Sequence, residues 1–401
     1  MKWEKNEDGY RVPIKSWCSD MEPLAMSQAE NLAKHTSVYK HVALMPDCHP
    51  GYGMPIGGVI ACREDIMPNA VGVDIGCGMG VVRTSIPVRD TDRKRLRDLV
   101  IQIKEYVPCG EGKSHRKIQS WDRIDEDFEN FKDRAWYSGQ VKELAGKSLG
   151  TLGGGNHFIE IQAGDDDMVW LMIHSGSRNL GNVIAKHYQA IAFERNTACN
   201  EFIPSRDLAF LPVSSKEGMA YIKDMNFALA YAKENRRQIM DRLMTVFSSC
   251  FNGAEFGDPV NIHHNYAALE THFGENLWVH RKGATSARKN EIGIIPGSMG
   301  TPSYIVEGLG NPESFTSCSH GAGRTMSRTE ASRTLSPQEC DTAMGTVVFD
   351  RWNKIRRGRG KGDYDLGEAP QAYKNIDDVI QSELDLIRPI VKLRPLGVVK
   401  G

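Results

Sequence analysis

Between residues 40 and 86 the sequence is apolar but repeatedly interrupted: "KHVALMPDCHPGYGMPIGGVIAC" is followed at 70–86 by "AVGVDIGCGMGVVRTSI", and glycine or proline recurs every few positions. A glycine inside a helix costs about 1 kcal/mol relative to alanine and a proline about 3 kcal/mol. No long helix survives such a stretch. Short strands joined by tight, glycine-permitted loops are the natural solution. Polar side chains in those loops, among them Asp47, Cys48, His49, Asp74 and Cys77, are framed by residues of little bulk.

Elsewhere the period changes. Residues 91–106, "TDRKRLRDLVIQIKEY", repeat apolar positions at helical spacing behind a Thr/Asp start, which predicts an amphipathic helix. The longest helical pattern spans 216–248, with room for one break, and a last helix is predicted near 376–387, ahead of a short basic tail that ends with Lys400. "NHFIEIQ" and "DMVWLMIH" flank the turn-rich "AGDD" and predict a hairpin. With no internal repeat and no clear linker, the expectation is one α+β domain over residues 1–401. Mixed and antiparallel sheets with helices outside are expected in it.

Apolar content of 40% and charged content of 25% are those of a globular protein. No apolar run approaches the roughly 18 residues of a membrane span, and the polar start lacks a signal-peptide core. A cytoplasmic location is the default expectation, and so is a monomer. Nine cysteines without a C-x-x-C pair exclude a disulfide framework and a structural zinc finger. The formal net charge of −1 means that any polyanion must be held by a local patch or a metal.

Several side chains fit that requirement. If the hairpin turn is centred between 165 and 166, His157 lies opposite His174 with β-carbons roughly 4.5–5.5 Å apart. Two ligands for one metal would then share a face. Phe158 and Glu160 would occupy the opposite face, where a ring and a carboxylate can grip a purine. Asp74 and Cys77, three apart in "GVDIGCGMG", can reach one ion or bridge two, and a thiolate beside imidazoles selects a transition metal. "NIHHNY" adds His263 and His264, of which alternation aims only one inward. Asp47, Cys48 and His49 read as turn chemistry with an orienting role. In "SCSHGAGRTMSR", residues 317–328, His320 is open to four roles: packing, metal ligation, general base or nucleophile.

Two nucleotide motifs are absent. "YVPCGEGKSH" has Val107 where a phosphate-binding P-loop needs glycine, and it follows a predicted helix instead of a strand. It reads as a basic surface loop carrying Lys113, His115, Arg116 and Lys117. No K-x-D-G is present to supply a lysine nucleophile. The basic run at 351–362, "RWNKIRRGRGKG", suits a phosphate backbone or a solvated loop equally.

Taken in order, "MPDCHPGYGMPIGG", "GVDIGCGM", "GTLGGGNHFIEI", "HSGSR", "HHNY", "RKGATSA", "IIPGSMG", "SYIVEGLGN", "SHGAGRTMSR", "EAPQAYKNID" and "VVKG" closely resemble the RtcB family of RNA ligases over nearly the whole chain. The resemblance implies an enzyme that joins RNA 2′,3′-cyclic phosphate or 3′-phosphate ends to 5′-hydroxyl ends, with GTP and two manganese ions, in tRNA splicing and RNA repair. It implies sheets around a central metal-containing active-site cleft, makes His320 the guanylylated nucleophile, and makes Asp74, Cys77, His157, His174 and His264 the manganese ligands. Asn156, Phe158, Glu160, Asn265, Ser298, Ser303, Tyr373 and Lys400 become GTP contacts. Arg178 and Arg324 are implied near phosphates, and an archease-type activator becomes a possible partner. Two rivals differ in what they need. A metal-dependent phosphodiesterase or phosphatase would use the same ligands without a purine pocket or covalent nucleotide, and a metal-stabilised RNA-binding module would turn nothing over.

Overall fold

Two β-sheets carry the structure, and the chain passes from one to the other beside the residues singled out above. The computed structural model describes residues 1–121, 128–355 and 362–401. Seven strands form the larger sheet, in the order Val260–His263, Gly78–Pro87, Met168–Ser175, Phe158–Gly164, Ile387–Lys400, Ser303–Gly308 and Ile292–Ile295. Every neighbouring pair in it is antiparallel. The second sheet has six strands: Trp3–Lys5, Ile14–Ser16, Val38–His49, Ile56–Cys62, Glu275–Lys282 and Asn265–His272. It is mixed, because Ile14–Ser16 runs parallel to Val38–His49. The α+β expectation holds.

Helix Arg93–Tyr106 begins where the Asp92 side chain accepts the amide of Arg95, and it buries Leu96, Leu99, Val100 and Ile103 along one stripe. Together with Lys216–Cys250 it covers one face of the seven-stranded sheet, against Ile159, Ile161, Leu171 and Ile173. The alternate residues Phe158, Met172, Ile305 and Leu393 pack on the other face. Lys216–Cys250 is a single helix of 35 residues, so the break allowed for in it does not occur. No helix among the described residues is long and apolar enough to cross a membrane.

Three local expectations are corrected. The hairpin pairs Phe158 with His174 and Ile159 with Ile173, so its turn is centred on Asp166. Asp167 takes a left-handed φ of 61°, and the Asp166 carboxylate accepts from the Met168 amide and the Trp170 indole at 3.2 and 3.1 Å. That turn chemistry lengthens the loop by one residue, and one residue of register moves every side chain to the other face. Phe158 and Glu160 therefore share a face with His174, and His157 stands just before the strand. The supposed basic tail is in fact the strand Ile387–Lys400, held between two neighbours. Its prolines concealed it, and both Pro389 and Pro395 sit at irregularities of the pairing, where a missing N–H is tolerated. The helix before it is short, Ile376–Ser382. Lastly, Asp47, Cys48 and His49 end the strand Val38–His49 instead of occupying a loop.

The 111–117 segment is a surface loop with Lys113, Arg116 and Lys117 exposed. Within the 351–362 run, residues 356–361 lie outside the described residues. Gly78 opens a strand at a point of close approach, where an added Cβ would lie 2.0 Å from the Ile262 carbonyl oxygen. Gly78→Ala is expected to push Val260–His263 off the sheet edge at a cost of roughly 1–3 kcal/mol, read as a lowered urea midpoint. An unchanged midpoint would mean that the backbone absorbs the methyl group.

Candidate active site

Strand ends of the seven-stranded sheet meet at one edge. The loop holding Asp74 and Cys77 leads into Gly78–Pro87, His157 precedes Phe158–Gly164, and His174 is the next-to-last residue of Met168–Ser175. His264 is the single residue between Val260–His263 in one sheet and Asn265–His272 in the other. Its amide donates to the Cys77 carbonyl at 2.9 Å. Asn265 fastens the loop from the same point: its side-chain Nδ2 donates to the Asp74 carbonyl at 3.1 Å, and its backbone carbonyl accepts from the Gly76 amide at 2.8 Å.

These ends bring ligand atoms together. Cys77 Sγ lies 3.2 Å from His174 Nε2 and 3.4 Å from His157 Nε2. His174 Nε2 and His264 Nε2 are 3.4 Å apart, and His157 Nε2 is 3.3 Å from an Asp74 oxygen. Atoms held tetrahedrally at roughly 2.0–2.3 Å from one ion would be about 3.3–3.8 Å apart. The separations fit two metal positions, Cys77/His174/His264 and Asp74/Cys77/His157, with the thiol common to both. Protonation agrees. His174 Nδ1 donates to the Asn156 carbonyl at 3.2 Å, which leaves the lone pair on Nε2. Burial pushes the imidazoles of His174 and His264 well below their ordinary range and lowers that of His157. Neutral rings are the ligating form. Burial also raises the Cys77 thiol well above its usual value, so an ion must displace its proton.

His320 follows the strand Ser317–Ser319, which pairs with Ala284–Ser286. The ring stands 4.8 Å from that of His264. Asp47, fully buried, accepts from both His320 Nδ1 and the His320 amide through one carboxylate oxygen, at 2.6 and 3.1 Å. With Nδ1 so engaged, Nε2 is the nitrogen left for chemistry. Gly323 lets the loop lie on this strand: its φ is 75°, and a Cβ there would fall 2.4 Å from the Asp47 carbonyl oxygen.

A cavity of about 850 Å³ opens over these groups, lined from both sheets. Phe158, Glu160, Asn156, Asn265, Ser298, Tyr373 and Lys400 all face it, as do His320 and Arg324. Glu160 takes a hydrogen bond from Gln162 at 2.6 Å, and burial pushes its carboxyl up to about 8. Ser303 lies behind the wall, where its hydroxyl accepts from Gln162 at 3.1 Å. Arg178 is turned from the cavity: it donates to His157 Nδ1 at 3.2 Å and to the Thr151 hydroxyl at 3.3 Å.

Three further residues escaped the sequence reading. Glu368 gathers Arg324, Arg328, Tyr373 and Lys400 at 2.5–3.3 Å. Burial alone would raise it, but Lys400 and Arg328 bring its carboxyl down to about 2. Arg236, buried, donates to the carbonyls of Gly76 and Ser175 at 2.7 and 2.9 Å, which ties together the segments bearing Cys77 and His174. It also engages His263, the outward member of the histidine pair. Lys282 lines the cavity with its ammonium on the Asn69 and Tyr52 carbonyls, and burial pushes it down to about 7. Glu368 and Lys282 lie within quoted motifs, but only packing distinguishes them from ordinary surface charges.

Residues 28–401 match the family model described as tRNA-splicing ligase RtcB. The chain belongs to the RtcB family. It is 39% identical to the RNA-splicing ligase RtcB of Escherichia coli K12, over 97% of this chain and 98% of the relative. It is 31% identical to the tRNA-splicing ligase RtcB of Thermococcus kodakarensis, over 100% and 98%, and 31% to that of Pyrobaculum aerophilum, over 98% and 95%. Every residue placed above at the cluster and cavity lies inside the matched segment.

The shared thiol makes a stoichiometric prediction. Protein loaded with a divalent transition metal and desalted should hold two ions, His264→Ala one, and Cys77→Ala fewer than one, measured by elemental analysis. Equal content in the two variants would show that the thiol is not shared.

Proposed function

We propose that the protein is a GTP- and manganese-dependent RNA ligase that joins 3′-phosphate ends, also reached from 2′,3′-cyclic phosphates, to 5′-hydroxyl ends through a nucleotidyl-histidine. The observation that carries this reading is His320, whose Nδ1 is held by buried Asp47 at 2.6 Å at the edge of a cavity lined by Phe158 and Glu160. A phosphodiesterase would need the metal ligands but neither a purine pocket nor an imidazole held in this manner.

In the first step the lone pair of His320 Nε2 attacks the α-phosphorus of GTP. A P–N bond forms, the bond to the β-phosphate oxygen breaks, and pyrophosphate leaves. Asp47 keeps the ring proton on Nδ1 and stabilises the positive charge that develops on the ring. An oxygen of the RNA 3′-phosphate then displaces the histidine and takes GMP. Finally the 5′-hydroxyl of the second RNA attacks the activated 3′-phosphate, loses its proton, and expels GMP. Manganese held by Asp74, Cys77, His157, His174 and His264 supplies charge neutralisation for the triphosphate and for the transferred phosphoryl group.

Arg178 has a part consistent with this. With His157 Nε2 given to a metal, the ring proton would reside on Nδ1, which could no longer accept from the guanidinium, and Arg178 would be left to meet a phosphate. On this reading Glu160 accepts the N1–H and amino group of guanine, and Phe158 stacks on its face.

Two measurements test the reading. Incubation with α-labelled GTP and manganese should leave acid-labile, alkali-stable label on the chain, and His320→Ala should abolish both label and joining while metal content persists. An His320→Ala variant that still joins RNA would sink the proposal. The Glu160 carboxyl, protonated below about pH 8, must ionise to accept from guanine. KM for GTP should therefore fall as pH rises from 7 to 8.5, and Glu160→Gln should raise KM and flatten that dependence. A steep dependence retained in Glu160→Gln would assign it to another group.

A further inference from the structure

Asp47 is set in an irregular piece of backbone. Strand Val38–His49 pairs with Ile56–Cys62 at Leu44↔Gly58 and next at His49↔Ile56, so residues 45–48 bulge out of the ladder. Their carbonyls need partners other than the neighbouring strand. Lys374 supplies two of them: its Nζ donates to the Pro46 carbonyl at 3.2 Å and to the Cys48 carbonyl at 2.9 Å, the residues on either side of Asp47. The same ammonium reaches the Asp20 carbonyl at 3.4 Å and Cys18 Sγ at 3.3 Å. Its backbone amide donates to the Gly323 carbonyl at 3.0 Å, within the loop that carries His320. One residue thus fastens both halves of the Asp47–His320 pair, and its neighbour Tyr373 lines the nucleotide cavity.

We propose that Lys374 is a positioning residue for the nucleophile, holding the bulged strand so that Asp47 meets His320 Nδ1 in line with the nucleotide wall. The inference rests on the guanylyl-transfer reading above. Among the described residues, all the hydrogen-bond partners of this ammonium are carbonyls and a thiol, with no carboxylate among them. Its contacts are spent on geometry. Displacing a reacting group by about 1 Å can cost on the order of 100-fold in rate, and loss of two anchors in a bulge is a displacement of that kind. Lys374 is also reachable: a second cavity, of about 640 Å³, is lined by Lys374 with Cys18, Asp20, Pro46 and Arg324. A small amine can enter there.

The test is the single-turnover rate of label transfer from α-labelled GTP to His320, with manganese, in Lys374→Ala and Lys374→Arg. Lys374→Ala is expected to lower the rate at saturating GTP by about 10- to 100-fold, with KM for GTP within twofold of wild type and metal content unchanged. Lys374→Arg should recover most of the loss. Ethylammonium should restore part of the Lys374→Ala rate, and sodium at equal ionic strength should not. An undiminished rate, or a loss carried by KM or metal content with arginine no better than alanine, overturns the inference. Should Lys374→Ala fail to fold, Lys374→Arg and Lys374→Met are compared in wild-type and Asp47→Asn backgrounds. Positioning through Asp47 requires that Lys374→Met cost nothing further once Asp47 is changed, and an additive loss overturns it. Wild-type protein that takes no label refutes the ligase reading itself, whereas labelled wild type beside an equally fast Lys374→Ala refutes only the role of Lys374.

Discussion

A thiol and three imidazoles buried with their polar atoms 3.2–3.4 Å apart form the constraint on which the rest of the structure depends. His174 Nε2 and His264 Nε2 face each other at 3.4 Å, burial holds both imidazoles well below their ordinary range, and His264 Nδ1 has no hydrogen-bond partner among the described residues. An unpaired buried polar group costs of the order of 1–3 kcal/mol. An ion converts that liability into binding energy. The fold serves the cluster. The seven-stranded sheet ends its strands at one edge there, Arg236 fastens the Gly76 and Ser175 carbonyls, and one of the crossings between the sheets is made by the single residue His264.

Beside this cluster His320, the proposed nucleophile, is held by a different device. The candidate metal ligands stand at the ends of well-paired strands, where a ladder fixes the backbone. Asp47 stands in a bulge, where bonds from elsewhere in the chain must do so. Bulges re-aim side chains at the edge of active sites. Here the bulge turns a carboxylate inward, under an imidazole that arrives from residues 317–328. Gly323 permits that approach, because any side chain at its position would collide with the Asp47 carbonyl.

These differences explain what could be read from the sequence. Helix Arg93–Tyr106 was legible because its stripe and its Asp92 cap are local. The participants of the metal cluster were legible as residue types in glycine-framed loops, before any pairing was known. The pairing itself was not. A side-chain-capped turn at Asp166 shifted the hairpin by one residue, so the inferred opposition of His157 and His174 was replaced by that of Phe158 and His174. His157 still reaches the cluster, since it precedes the strand and escapes its alternation. Strand Ile387–Lys400 was hidden by two prolines that are tolerated only because its neighbours are irregular opposite them, a fact of tertiary structure. Asp47 could be suspected of an orienting role. Its partner, 273 residues away, could not be named.

Charge in the cavity completes the physical picture. Lys282, Arg324, Arg328 and Lys400 line it, and so do Glu22, Asp74, Glu160 and Glu368. Four formal cations facing four formal anions leave no surplus to hold a triphosphate, in keeping with a chain whose net charge is −1. Burial moves the balance in both directions, since Glu160 is pushed up to about 8 and Lys282 down to about 7. Glu368, by contrast, stays ionised and occupies Arg324, Arg328 and Lys400 together. Side chains alone therefore cannot attract a polyanion strongly. On the proposed reading, the positive charge enters with the ions that the cysteine–histidine cluster would take, and the cations around Glu368 then place an anion that those ions have drawn in. Binding of nucleotide would thus be tied to metal occupancy by electrostatics, before any proposed chemistry at His320 begins.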